Sequence, residues 1–292
     1  MRFAETRHPS LAIAGLLFGT VAWGVVWYPY RLLEQAGIFG LASSLYSFSV
    51  SLVLGLLLFM RLRALQRPDW SMLWLALVAG WTNLAYVMAV IDGEVMRIML
   101  LFYLSPFWTL LLGKLLVKER VGATGLMIVA LSLSGAVVML WQPDSGLPLP
   151  QNRAEWLGLS AGIGFALTNV LTRRSQHLSL SSKSLAIWGG VVLMALLLLP
   201  FQPHALPTPA LAGAGGLLWL FGIGLLLLVT TLVVQYGVTH TPVTRASVIF
   251  LFELVVAALS SWWLAGEVMS LREWVGGAMI VASSLFAARG RD

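Results

Sequence analysis

The stretch Gly125-Leu-Met-Ile-Val-Ala-Leu-Ser-Leu133 decides the fold, because it recurs late in the chain as Gly277-Ala-Met-Ile-Val-Ala-Ser-Ser-Leu285. Seven of the nine positions are identical. Both copies lie within long apolar runs of the kind that form membrane helices. The match predicts an internal repeat of such helices.

Further landmarks recur in the same order in the two halves of the chain. Arg97 and Arg245 are 148 residues apart, and so are Glu119 and Glu267. Two glycine pairs and two arginines also correspond: Gly15 and Gly19 with Gly158 and Gly162, and Arg31 with Arg174. Apolar sequences match easily by chance, but the shared order of these landmarks favours a true repeat.

The composition is that of a membrane protein. Of the 292 residues, 59% are hydrophobic and only 10% are charged, whereas soluble domains carry about 25% charged residues. This excludes a cytosolic enzyme and a disordered chain. With no cysteine and with four histidines that lack ligand spacing, we expect no metal ion and no cofactor.

Ten apolar runs are long enough to cross a bilayer, which takes about 20 helical residues. They cover residues 11–29, 39–60, 71–91, 95–116, 122–141, 155–172, 184–201, 213–236, 243–264 and 273–288. We read the first run as a retained helix, because it is longer than the apolar core of a signal peptide. The expected fold is therefore an all-α integral membrane protein with ten transmembrane helices.

Lysine and arginine predict the orientation, since they concentrate in cytoplasmic loops. With the N-terminus inside, fourteen of these residues fall on the inner side and four on the outer side. Both termini should then be cytoplasmic, in the inner (plasma) membrane. The net charge of +6 arises mostly from basic residues in the short loops, which set the topology. We therefore do not expect nucleic acid as a partner.

The polar, proline-containing stretch 142–154 divides the chain into two five-helix repeats, residues 1–143 and 144–292. Because five is odd, the second repeat enters the membrane from the opposite side, so the repeats are inverted. Inverted repeats are typical of secondary transporters, whose substrate site lies near the midplane between them.

Both halves resemble the EamA repeat. The resemblance rests on Leu104-Ser-Pro106-Phe with Lys118-Glu119-Arg in the first half, and on Leu251-Phe-Glu253-Leu with Ala265-Gly266-Glu267 in the second. It implies the drug/metabolite transporter superfamily, ten helices, cytoplasmic termini and export of small metabolites such as amino acids. The chain departs from the family at Leu254, where proline is frequent, which puts a kink at that position in doubt.

Glu253 is the main candidate for the transport chemistry, because a charge near the bilayer centre is costly and is usually functional. It could carry a proton from one side to the other, or hold a substrate amine. A protonated helix–helix contact is the structural alternative. Pro106 should kink helix 4 and free backbone carbonyl groups there, for structural reasons or for binding.

Four charged residues at the ends of helices 4 and 9 are candidate gates. Since 22 helical residues rise about 33 Å, Arg97 and Glu267 should share the outer face, and Glu119 and Arg245 the inner face. Each face could hold one ion pair that opens in alternation. Alternatively, the arginines reach the headgroups and the glutamates stabilise loops.

Aromatic and amide side chains within the spans are candidates to line a substrate cavity, since polar groups in a span usually face the interior. Packing and interhelical hydrogen bonds are the alternative for each one. The candidates are Trp23, Trp27, Trp81, Asn83, Tyr86, Tyr103, Pro106, Asn169, Gln235, Tyr236 and Glu253.

The sequence thus predicts a transporter of small polar or amphipathic metabolites, with amino acids as the leading substrate class. A multidrug permease, or a nucleoside or sugar permease, of the same fold is the alternative. A membrane enzyme is disfavoured, because the chain lacks an ATP-binding glycine loop, a zinc motif and a histidine base within a span. Loops of about a dozen residues disfavour an assembly subunit. Protons are a candidate coupling ion, uniport is equally compatible, and the chain should be a monomer or homodimer.

Overall fold

The computed structural model describes residues 9–35, 37–38, 40–93, 95–141, 149–201, 213–266 and 268–289. These residues form twelve α-helices, a π-helical turn and a 3₁₀ turn. The first seven α-helices are α1 Pro9–Gln35, α2 Gly40–Arg61, α3 Trp70–Asp92, α4 Val95–Phe102, α5 Ser105–Leu112, α6 Ala123–Leu140 and α7 Arg153–Arg174. The others are α8 Leu180–Leu198, α9 Gly213–His240, α10 Val243–Phe250, α11 Phe252–Ala265 and α12 Leu271–Arg289, with the π-helical turn at Gly113–Val117 and the 3₁₀ turn at Leu199–Phe201.

Each of the ten predicted spans is helical, and the part of the chain that the structure describes is all-α. Eight are long and apolar enough to cross a membrane by themselves, whereas α7 and α12 are more polar. Span 4 consists of α4, α5 and the π-helical turn, span 9 consists of α10 and α11, and every other span is one helix. We call the end of the bundle where α1 begins the inner end, and the opposite end the outer end.

Spans 4 and 9 are both interrupted at equivalent positions by a tighter turn, at which Leu104 and Leu251 keep helical dihedral angles; we call each interruption a break. The bounds Val95 and Phe102 of α4 become those of α10 when 148 is added to each number. In span 4 the break falls just before Pro106, whose missing N–H leaves the Phe102 carbonyl without its usual helical donor. Span 9 is interrupted without a proline. Its Leu254 N–H donates to the carbonyl group three residues back, that of Leu251, at 3.0 Å, in place of the usual bond four residues back. The doubt about a kink at Leu254 is thereby resolved.

The strongest packing in the bundle joins the two repeats to each other. Helix α1 packs on α9, α3 packs on α7 and α8, and α6 packs on α12. Span 4 packs on α7, and span 9 packs on α1 in the equivalent way. The two repeats therefore interlock around one core. The boundary expected at residues 143 and 144 lies outside the described residues.

The repeated glycine pairs bring helices of opposite repeats close together. A Cβ atom added to Gly15 would lie 2.9 Å from the Val233 carbonyl oxygen of α9. One added to Gly162 would lie 2.6 Å from the Phe102 carbonyl oxygen of α4. Such distances are too short for a side chain, so these glycines serve packing within the fold.

Tryptophan side chains near the helix ends are exposed at both ends of the bundle, as expected at the two bilayer interfaces. They are Trp70, Trp74, Trp141, Trp156 and Trp274.

A candidate substrate site at the two helix breaks

Glu253 lies in the first turn of α11, immediately after the break in span 9. The residue is partly exposed, so it is not sealed within the helix packing. The partial positive charge at the N-terminus of α11 favours a carboxylate at this position.

Tyr103, at the break in span 4, connects the two breaks. Tyr103 packs in one buried cluster with Leu251 and Leu254 of span 9, which brings its hydroxyl group close to the Glu253 carboxyl group. Tyr86 of α3 is close enough to interact electrostatically with the same carboxyl group. One acid and two phenol groups thus meet where both discontinuous spans are interrupted.

Aromatic rings surround this meeting point. The centroid of the Phe102 ring lies 4.9 Å from that of Tyr86, 5.2 Å from that of Tyr103 and 5.5 Å from that of Phe165 of α7. The Phe165 ring in turn lies 5.3 Å from that of Phe250. We call this group of six side chains the break site: Tyr86, Phe102, Tyr103, Phe165, Phe250 and Glu253.

Helices α1 and α7, which are equivalent in the two repeats, each place a glycine beside one break. Gly162 of α7 lies against the Phe102 carbonyl group, and Gly24 of α1 lies against that of Glu253, where an added Cβ atom would be 3.0 Å from the oxygen. Backbone carbonyl groups at broken helices can bind substrates or ions. Gly162 thus brings α7 close to the break in span 4, and Gly24 brings α1 close to the break in span 9.

The tryptophan candidates make other contacts than those of the break site. Trp27 donates from Nε1 to the Ser260 hydroxyl group at 2.8 Å and so joins α1 to α11. Trp23 is half-buried against the core cluster that contains Phe48 and Trp188. Trp81 is exposed.

Of the amide candidates, Asn169 and Gln235 are buried and Asn83 is partly buried. Asn83 Oδ1 and Asn169 Nδ2 are buried without a hydrogen-bond partner among the described residues. Gln235 accepts a hydrogen bond from the Thr172 hydroxyl group at 3.1 Å. Tyr236 packs against His240, with ring centroids 4.3 Å apart, near the inner end of α9.

At the outer end, Arg97 pairs with Glu155 of α7. The Arg97 Nε atom lies 2.9 Å from Glu155 Oε1, and both side chains are largely buried. Glu155 also accepts hydrogen bonds from the Gln151 backbone N–H and the Asn152 amide group, both at 2.9 Å. The partner predicted for Arg97, Glu267, lies outside the described residues.

At the inner end, Glu119 accepts hydrogen bonds from the Val243 N–H at 3.1 Å and thereby caps α10. Its carboxylate also lies 4.0 Å from Arg173 of α7. Arg245 donates to the Ala287 carbonyl group of α12. Span 4 is therefore tied to α7 by a charge pair at each end.

The sequence reading missed Glu155 and Arg173. The spacing Asn152-x-x-Glu155 is that of a helix capping box, and the Glu155 N–H does donate to Asn152 Oδ1 at 3.0 Å. This pattern could have marked the start of α7. The partnership with Arg97 follows only from the packing of span 4 on α7.

Outside the spans, Asp69 caps α3 in an inner loop. It accepts a hydrogen bond from the Met72 N–H at 2.9 Å, and His177 Nε2 lies 2.8 Å from its other oxygen. These two contacts, the backbone one foremost, hold the pKa of Asp69 below its ordinary value of 3.8. The contact ties the loop before α3 to the loop between α7 and α8.

Residues 152–289 match the model of the EamA-like transporter family. The second half of the chain is therefore similar to this family. An uncharacterized transporter of Archaeoglobus fulgidus is 29% identical over 229 residues, which cover 78% of this chain and 80% of that protein. Uncharacterized transporter YojE of Bacillus subtilis is 24% identical over 85% of this chain and 83% of its own length.

A solved crystal structure shares the fold of this chain. The two structures align with a TM-score of 0.78 over 95% of this chain and 98% of the other, at 16% sequence identity. At that identity the likeness shows the fold alone. Family and relatives together make the chain a multi-pass membrane transporter.

Proposed function

We propose that this EamA-type transporter exports small polar or amphipathic metabolites by alternating access, with the break site as its binding site. One observation carries the proposal: the Tyr103–Glu253 contact brings the equivalent breaks of spans 4 and 9 together. In transporters built from inverted repeats, such interrupted helices form the substrate site near the midplane.

The chemistry of the break site favours a substrate that combines a cationic amine with apolar surface. Glu253 supplies one carboxyl group, and aromatic faces attract cations. Phe102, Phe165 and Phe250 supply an apolar wall. Amino acids are the leading class, because their ammonium group suits Glu253 and many carry apolar side chains.

We further propose that the protein lies in the inner membrane with both termini in the cytoplasm. The support is the ratio of fourteen inner to four outer lysine and arginine residues, which follows the positive-inside rule. A proton on Glu253 would couple export to a pH gradient, whereas a permanently paired Glu253 would give uniport.

Flux into proteoliposomes tests this function. The panel contains amino acids, nucleosides and cationic drugs, each measured with and without a pH gradient. Saturable uptake of amino acids is expected, with a clear loss in Glu253→Gln. Glu273→Gln is the matched control. Glu273 is also in the first turn of a helix, but among the described residues its carboxylate accepts a hydrogen bond only from the Ser270 N–H, at the outer end of α12.

The outcomes separate the alternatives. Saturable flux of nucleosides or drugs without amino-acid flux would overturn the substrate class and favour the multidrug or nucleoside permease. Full activity of Glu253→Gln with an unchanged response to the gradient would remove Glu253 from both binding and coupling.

A further inference from the structure

At the inner end, side chains of α7 and α8 form hydrogen bonds with one residue of α9, Thr239. The Thr239 carbonyl group, near the end of α9, accepts hydrogen bonds from the Arg173 guanidinium group and from Gln176 Nε2, the latter at 2.9 Å. The Thr239 hydroxyl group accepts a hydrogen bond from Lys183 Nζ of α8 at 2.9 Å. We call these four residues the Thr239 cluster.

Lys183 is the unusual member, because its side chain is completely buried (0% exposed). Its ammonium group has three donors, and Thr239 is its hydrogen-bond partner among the described residues. Arg173 adds a second cation beside it. The Glu119 carboxylate lies 4.0 Å from Arg173, but in the part of the chain that the structure describes no carboxylate pairs with Lys183. The partial negative charge at the C-terminus of α9 offsets only part of the cost of burying the ammonium group. Closing the inner end therefore costs free energy, which is regained when the ammonium group is hydrated on opening.

The outer end has a different set of residues at the equivalent places. The glycine pairs set an offset of 143 residues, which matches Arg173 with Tyr30 and Lys183 with Gly40. The burial differs in the same sense: α10 at the inner end is buried along its length except at Arg245, whereas α4 at the outer end is only partly buried. The inner end carries two cations at these positions, and the outer end carries none.

We infer that the Thr239 cluster is the inner gate and that Lys183 is the residue that makes this gate reopen. The inference rests on the proposed alternating access. Thr239 holds the gate closed by satisfying the buried ammonium group, while the unfavourable burial of that ammonium group keeps closure reversible. Lys183 and Thr239 therefore act in opposite directions on one equilibrium, and both are positioning residues that do not touch substrate.

Thiol accessibility measures this equilibrium without any substrate. The chain has no cysteine, so Ser247→Cys gives a single thiol on the buried inner half of span 9, where Ser247 is 2% exposed. The protein is placed in lipid nanodiscs, and the labelling rate with a water-soluble maleimide is normalised to that of the unfolded protein. Labelling reports how often the inner half opens.

The variants give opposite expectations. Thr239→Val strands a buried charge, so labelling should become roughly tenfold faster. Lys183→Met replaces the buried charge by an apolar chain of similar length, so labelling should become about threefold slower or more. Thr239→Ser keeps the acceptor and should label as the parent does. Thr231→Val is the matched control, because Thr231 on the same helix accepts from Trp188 at 3.0 Å, away from the cluster.

A purely structural cluster would give the same sign for both variants, since loss of either partner would loosen the bundle. Faster labelling in Lys183→Met would therefore overturn the inference, as would unchanged labelling in Thr239→Val. The labelling result is independent of flux. If the signs are opposite and no compound is transported, the gate stands and the proposed substrate class fails.

Discussion

Phe102 and Phe250 lie against one and the same ring, that of Phe165, at centroid distances of 5.5 and 5.3 Å. Each is the last residue of the first half of a broken span. They occupy the same position in the two repeats, 148 residues apart. A single side chain of α7 thus connects the two discontinuous spans of the transporter.

Phe165→Ala should impair transport strongly, because it removes the ring that joins Phe102 to Phe250. The side chain is half-buried, so the loss of stability should be at or below the roughly 3–5 kcal/mol typical of core Phe→Ala changes. Saturable flux in proteoliposomes is the measurement. Phe107→Ala, at an exposed position of α5, should transport normally, and equal activity of the two variants would rule out a special role for Phe165.

Removing one partner of the Arg97–Glu155 pair should destabilise the protein by about 3–5 kcal/mol, because the other charge remains buried. Arg97→Met and Glu155→Met should each lower the thermal midpoint in detergent. The double variant should recover part of the loss. Arg153→Ala, an exposed change in the same turn of α7, should have little effect, and additive losses in the double variant would contradict a coupled pair.

Gly162→Ala should separate α7 from span 4. The new Cβ atom would lie 2.6 Å from the Phe102 carbonyl oxygen and 3.0 Å from its Cα atom, both of them backbone atoms that cannot rotate away. We expect a lower thermal midpoint together with reduced flux. At Gly189 of α8 no atom lies within 4 Å of an added Cβ, so Gly189→Ala should be neutral or slightly stabilising. Equal behaviour of the two alanine variants would refute the close contact.

Leu254→Pro should leave the fold intact. The Leu254 N–H makes only a short-range bond to Leu251, and proline is tolerated in the first turn of a helix. Ala257→Pro, one turn further into α11, should cost about 3 kcal/mol or more, since it removes a regular helical bond. Circular dichroism during heating compares them. Equal thermal midpoints of the two variants would contradict the assignment of Leu254 to the first turn of α11.

The Asp69 contact should give a pH-dependent contribution to stability. A carboxyl group whose pKa is lowered by folding stabilises the protein fully above its unfolded pKa and loses this effect as the pH falls through its folded pKa. Asp69→Ala should therefore cost about 1 kcal/mol at pH 7, as expected for a lost helix cap. The gap to the parent should close as the pH falls below 3.8.

Asp69→Asn is the informative companion, since asparagine also caps helices well. It should retain most of the stability at pH 7. A gap between Asp69→Ala and the parent that persists unchanged at low pH would show that the carboxylate charge does not contribute.

The sequence was sufficient for the architecture because the landmarks of the fold are local and repeated. The spacing of Arg97 and Arg245 and the glycine pairs located equivalent helices, and the length of the apolar runs set the number of spans. The break in span 9 was harder to foresee. Leu254 has an N–H group and no sequence feature that forbids a continuous helix, so the interruption depends on packing.

The candidate site could be predicted only in part, for a similar reason. The cost of burying a charge singled out Glu253 without a structure. Tyr103 was one of many aromatic residues until the fold brought it to the Glu253 carboxyl group. Lys183 and Thr239 were not chosen, because Lys183 looked like one of the many cations of an inner loop. Only the structure shows that it is completely buried.

The interlocked packing of the two repeats has a consequence for biosynthesis. When the ribosome has released the first five spans, α1, α3 and α6 still lack the helices on which they pack most closely. The newly made half must wait in the lipid with its small-residue faces uncovered until the second half has been inserted. Assembly is therefore completed late, and the insertion machinery or the lipid has to shield those faces from wrong partners in the meantime.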